Sequence, residues 1–129
     1  MRSMELNLIA AWAGVFAGLL VAVPVGLKFN EDQWLGGYNS WTRRLLRLGH
    51  IACFGLAFLN FAYVATAKWL NIPPESLVLT SLLFVIAQAT MPLTCFAAAF
   101  QKSLRHLFVV PVVTLVAATG SFLFLGLLK

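Results

Sequence analysis

The residues that could do chemistry in this chain are few. It has two histidines, His50 and His106, and two cysteines, Cys53 and Cys95. His50, Cys53 and Asn60 are spaced by three and then seven residues, so a helix puts them on one face. Ser81, Gln88 and Cys95 recur every seven residues, with Met91 close beside them. A set made of His50, Cys53, Met91 and Cys95 offers imidazole and soft sulfur, the donors that copper(I) prefers. Alternatively, histidines from two helices can ligate a haem iron. That makes His50 and His106 candidate ligands of haem b, with Arg47, Lys102 and Arg105 as candidate partners for its propionates. The plainer reading takes Asn60 and Gln88 as a polar seam between two helices, worth about 0.6–2 kcal/mol per hydrogen bond. Cys53 and Cys95 then behave as small apolar residues.

Other chemistries have no residues to carry them. There is no C-x-x-C pair for disulfide exchange, no glycine-rich phosphate loop, no H-E-x-x-H, and no nucleophile with a base and an acid beside it. No catalytic residue is assigned, and the balance is against an enzyme. A membrane-embedded carboxylate, which proton-coupled exporters and ion-pumping relays use, is also missing, because Glu5 lies too near a segment end.

The elements that must position these residues follow from composition. Of the 129 residues, 61% are hydrophobic and 10% charged, with a mean hydropathy of +0.91. A soluble domain carries about 25% charged residues. A water-soluble globule, a disordered tail and a disulfide-stapled domain are therefore excluded. The charges leave four uncharged stretches, 6–27, 48–67, 76–101 and 106–128, each of at least 20 residues. About 20 helical residues cross a 30 Å hydrocarbon layer. β-Barrel strands would be shorter and would alternate. The expected fold is all-α, a single domain of four transmembrane helices in an up-down antiparallel bundle, because the connections are too short for anything but neighbouring antiparallel helices. Ser103 is a candidate N-cap for the fourth helix. Pro24, Pro92 and Pro111 fall inside the stretches as possible kinks.

Only segment 29–42 makes a longer loop, with Trp34, Tyr38 and Trp41 suited to a membrane interface. Lys28, Arg43, Arg44, Arg47, Lys102 and Arg105 lie on its side, against Arg2, Lys68 and Lys129 on the other. The positive-inside rule puts the loop in the cytoplasm and both termini on the non-cytoplasmic side. The first stretch is longer than a signal-peptide core and lacks a strongly basic start, so it is expected to remain as a helix. An inner (plasma) membrane of bacterial type is the expected location. The net charge of +5 serves orientation and does not point to nucleic acid. Arg43, Arg44 and Arg47 are also placed to meet anionic membrane lipid.

Within the first stretch, Ala10, Gly14, Gly18, Ala22 and Gly26 repeat every fourth residue. Small residues at this spacing let membrane helices approach closely, so a helix-packing face is expected there. The functional expectation is a small, non-catalytic, multi-pass accessory or assembly subunit that packs against other membrane subunits or a second copy of itself. The alternatives are a b-type haem- or metal-binding protein in electron transfer or cofactor handling, and an oligomeric channel or transporter with Asn60, Thr80, Ser81 and Gln88 along its path.

Overall fold

A computed structural model describes residues 2–128. Lys129 and the side chain of Arg2, counted above on the termini's side, lie outside the described residues. Four helices carry the fold: α1 (Arg2–Leu27), α2 (Trp41–Trp69), α3 (Val78–Phe100) and α4 (Val109–Phe122). A single π-helical turn, Leu123–Leu127, extends α4, and no strand occurs among the described residues. With the flanking 3₁₀ and π turns included, four helical segments, Ser3–Leu27, Trp41–Trp69, Pro74–Phe100 and Lys102–Leu127, are long and apolar enough to cross a membrane. At 26 residues, α1 alone is about 39 Å long.

Several boundaries differ from those the charges mark, α1 for instance starting at Arg2, and two of the differences have a clear cause. α2 begins at Trp41, well ahead of residue 48, because Ser40 caps it: its hydroxyl accepts from the Arg43 N–H at 3.2 Å. A basic residue ends an apolar stretch without ending a helix, so Arg43, Arg44 and Arg47 occupy the first turns of α2. The fourth helix shows the reverse. Lys102–Phe108 is wound as tighter 3₁₀ turns, and regular α-helix starts only at Val109. Ser103 therefore caps nothing. Pro111 sits in the first turn of α4, where its missing N–H costs no helical hydrogen bond.

Successive helices pack antiparallel. Asn7 of α1 meets Asn60 of α2, while Gly14 meets the Cys53 carbonyl. Trp41 and Thr42 at the start of α2 donate to the Ala98 and Ala99 carbonyls at the end of α3, at 2.7 and 2.9 Å. Thr80 of α3 pairs with Ser121 of α4 at 2.8 Å. α1, α2 and α3 form a mutually packed trio. α4 leans chiefly on α3 and keeps most of its apolar surface outward, as does the lipid-length α1.

The core has two apolar clusters. One gathers Met4, Tyr63, Ala67, Leu77, Phe84 and Ala118 at the end that holds the start of α1. The other joins Leu45, Ala98 and Ala99 at the loop end. On α1 the buried face runs through Met4, Asn7, Ala11, Gly14 and Gly18, a three-four spacing. Ala10 and Ala22 are half-buried at its margin, and Gly26 faces open space. The reason is geometric: at about 100° per residue, a series taken every fourth residue rotates about 40° per step and cannot stay on one face.

Candidate functional site

The most organised polar feature is a buried ladder that links α1, α2 and α3. Asn7 donates from Nδ2 to Asn60 Oδ1 at 2.7 Å and to the Ser81 carbonyl at 3.2 Å. Asn60 donates in turn to Gln88 Oε1 at 3.2 Å and to the Leu56 carbonyl at 3.0 Å. Gln88 closes the ladder on the Cys53 carbonyl at 3.3 Å. At the other end, the Ser81 hydroxyl lies against Asn7 Oδ1 and the Ser3 carbonyl. Asn7, Asn60 and Ser81 are fully buried. Both amide protons of Asn7 and both of Asn60 have acceptors, and no atom of the ladder is left without a partner. A group so paired has little capacity left for a passing substrate.

Gly14 is what makes the ladder possible. A Cβ there would overlap the Gln88 amide nitrogen and stand 3.0 Å from the Cys53 carbonyl. Gly18 receives the ring of Phe54, whose nearest atom is 2.6 Å from where a Cβ would lie. Gly49 plays the same part on α2, facing Phe96 and Cys95 of α3. Sequence reasoning overlooked Asn7 and Gly49. Asn7 had a signal, since it stands seven residues before Gly14 just as Ser81 stands seven before Gln88. Gly49 stood alone, with no pattern around it.

The structure places the candidate ligands in different surroundings. His50 packs edge-on against Phe54, with ring centroids 5.2 Å apart, and Phe54 points into the Gly18 notch, so His50 lies on the α1 flank of α2. His106 is exposed on the 3₁₀ turns, whose Leu104 and Phe108 pack near Trp41 and Leu45 instead. Cys53 and Cys95 are buried free thiols in the α2–α3 layer, with Met91 half-buried nearby in α3. Among the described residues no three His, Cys, Asp or Glu side chains are placed to hold a metal ion. His50 Nδ1 is, however, buried without a partner.

The three clustered arginines divide their work. Arg43 is buried and organises the loop: its guanidinium donates to the carbonyls of Glu31 (3.2 Å), Asp32 (3.4 Å) and Phe29 (3.5 Å). It also lies near the faces of Trp34 and Tyr38. The turn it holds needs left-handed backbone at Leu35, Gly36 and Gly37 (φ of 53, 86 and 93°), which the glycines adopt without strain. Arg47 stacks 4.0 Å over Tyr38 and donates to its carbonyl at 3.2 Å. Arg44 is exposed, as is Arg105 beside His106.

Three of the surface hollows bear on function. Between α1 and α3 runs a groove of about 300 Å³, where small residues (Ala10, Ala13, Gly14, Ala17, Ala89 and Pro92) lie beside the larger Val85, Gln88, Leu93 and Phe96. It leads past Phe96 to an apolar hollow of about 470 Å³ among Val21, Pro24, Val25, Trp34 and Phe100. On the outer face of α2, Trp41, Arg44, Leu45, Arg47, Leu48 and Ile51 line a third hollow of about 360 Å³. Comparison with protein-family models, characterised proteins and solved structures finds no match. Function must be argued from these features alone.

Proposed function

We propose that the chain is a four-span membrane protein that acts as a non-catalytic accessory or assembly subunit of a larger membrane complex. The loop before α2 faces the cytoplasm and the start of α1 faces away from it. The groove between α1 and α3 carries this reading. Its small residues, alanines with one glycine and a proline, make the kind of surface that lets another helix backbone approach in lipid, where close packing drives association. The internal polar ladder supports it by leaving no buried polar group of its own for a substrate.

The test is the size of the native assembly extracted from its own membranes in mild detergent. The wild-type chain is expected in a particle larger than itself. Ala13→Leu and Ala17→Leu, which fill the groove from exposed positions, should release it. A wild-type chain that migrates alone from native membranes would overturn the reading.

A second reading, a b-type haem protein ligated through His50, rests on the unpartnered His50 nitrogen. A Soret band in protein made with haem supplied, abolished in His50→Ala, would favour it over the accessory role. A spectrally blank protein would remove it.

A further inference from the structure

We propose that the hollow on the outer face of α2 binds one anionic phospholipid, its phosphate between Arg44 and Arg47 and an acyl chain along Leu48 and Ile51. This inference rests on the membrane placement proposed above, but not on the accessory role. The hollow is built in two parts. At its upper end two arginines, Arg44 and Arg47, stand three residues apart on one helix face. Below them, from Arg44 to Ile51, the groove continues for about 10 Å with only apolar side chains, Leu45, Leu48 and Ile51. A phospholipid has this same order of parts, a negative group above a hydrocarbon tail.

The walls are fixed in advance. The Trp41 indole is anchored by its donation to the Ala98 carbonyl at 2.7 Å. Arg47 is held over Tyr38 by stacking at 4.0 Å and by one hydrogen bond from Nη2. Its Nη1, by contrast, is buried without a partner, so a phosphate engages this donor by drawing the guanidinium outward from Tyr38, while Arg44 meets it directly. Arg44 makes no ion pair among the described residues. Guanidinium matches phosphate oxygens in pairs, and tryptophan favours the headgroup level of a bilayer.

Charge complementarity decides for an anionic occupant. Six basic residues stand at this end of the bundle against Glu31 and Asp32, and Glu31 is already taken by Lys28 at 2.6 Å. Lys102 and Arg105 share the excess charge, yet neither lines this hollow. Arg43 does not contribute either, because it is buried under the loop. The selectivity should therefore trace to Arg44 and Arg47 and not to the end as a whole.

The experiment is native mass spectrometry of the purified full chain in a mild non-ionic detergent. It is titrated with phosphatidylglycerol or with phosphatidylcholine of the same chain length. Phosphatidylglycerol should be retained at one per chain, about tenfold more tightly than phosphatidylcholine. Arg44→Gln should weaken that retention about fivefold; this side chain is exposed and makes no contact that the fold needs. Arg47→Lys keeps the charge but loses the paired geometry, and should weaken retention less. Lys102→Gln should leave it unchanged. Equal retention of the two lipids would overturn the proposal, as would an equal loss from Lys102→Gln and Arg44→Gln. Binding of inorganic phosphate at the same strength, displacing the lipid, would show a free-anion site and overturn the assignment to lipid. Recovery of the chain in the membrane fraction of its cells tests the placement separately, so a failure of either is recognisable.

Discussion

The two halves of α1 share one series of small residues, differ in that only the first carries polar side chains, and have very different surroundings. Both are rich in small and aliphatic residues, and the every-fourth-residue series runs through both. Yet the first half, through Met4, Asn7, Ala11 and Gly14, is packed against α2 and α3. The second half is packed only at its start, where Gly18 meets the Phe54 ring, and then passes beside an apolar hollow of about 470 Å³, with Gly26 in open space. Small residues permit close approach but do not choose where it occurs. The choice follows the hydrogen bonds: Asn7 has partners on both neighbouring helices, and nothing in Val21, Pro24 or Val25 can attach the other half.

The sharpest way to break this contrast is to put the same side chain in each half. Gly14→Leu collides with Gln88 and the Cys53 carbonyl, which cuts the ladder and separates α1 from its neighbours. A loss of about 3 kcal/mol or more is expected from overpacking together with an unpartnered amide, seen as failure to recover folded protein in detergent. Gly26→Leu should be recovered like wild type, and so should Val15→Leu. Leucine is the better helix former, so equal losses at residues 14 and 26 would mean that both positions are closely packed and would remove the contrast.

The next effect isolates the hydrogen bonds from the shape. Asn60 stands at the centre of the ladder, so Asn60→Leu strands Asn7 and Gln88 together and should cost about 2 kcal/mol. Asn7→Leu should cost less, about 1 kcal/mol, because Asn60 keeps its bonds to Gln88 and the Leu56 carbonyl. The two changes share a bond, so the double variant should lose less than the two single losses together. Thermal unfolding in one detergent supplies all three values. Strict additivity would show that the asparagines act independently.

How much of this was legible in the sequence depends on what kind of signal each feature leaves. Four helices were readable, because charged residues are so rare that their positions delimit the apolar segments. The true start of α2 was not, since Ser40 caps the helix from within the loop and the arginines that follow are good helix formers. Asn60 and Gln88 stood out as polar residues in apolar surroundings. Asn7 did not, because it lies close to the beginning of its stretch, where polar residues are unremarkable. The histidines and cysteines looked like a set because they fall at similar depth. Depth ignores rotation about each helix axis, and rotation puts His50 toward α1 and His106 outside the bundle.

A moderate effect concerns the loop that closes the open half of α1. Arg43 ties the carbonyls of Phe29, Glu31 and Asp32 to the start of α2. Arg43→Gln should free segment 29–40 while leaving the helices in place. The expected result is faster amide exchange in that segment, by about tenfold or more, with α1 to α3 unchanged. Arg44→Gln, one residue away and exposed, should leave the exchange of the loop as it was. Loosening by both variants would assign the order of the loop to charge and not to the Arg43 hydrogen bonds.

The smallest effect expected is the one that separates packing in lipid from packing in water. Val25 borders the apolar hollow, and Val25→Phe would partly fill it. In a water-soluble protein, covering apolar surface contributes about 25 cal/mol per Å², so a filled hollow of this kind should add a visible increment. In a bilayer the hollow is reached by acyl chains, which are as apolar as the phenyl ring, and moving from one to the other gains little. Val25→Phe should therefore change stability by less than about 0.5 kcal/mol in lipid nanodiscs, and less than either asparagine substitution. A gain of 1 kcal/mol or more would mean that the hollow is not in contact with lipid, and that the open half of α1 is exposed to water or lacks a partner that normally covers it. The near-zero result would leave hydrogen bonding and backbone contact as the forces that hold α1, which is what the difference between its halves already implies.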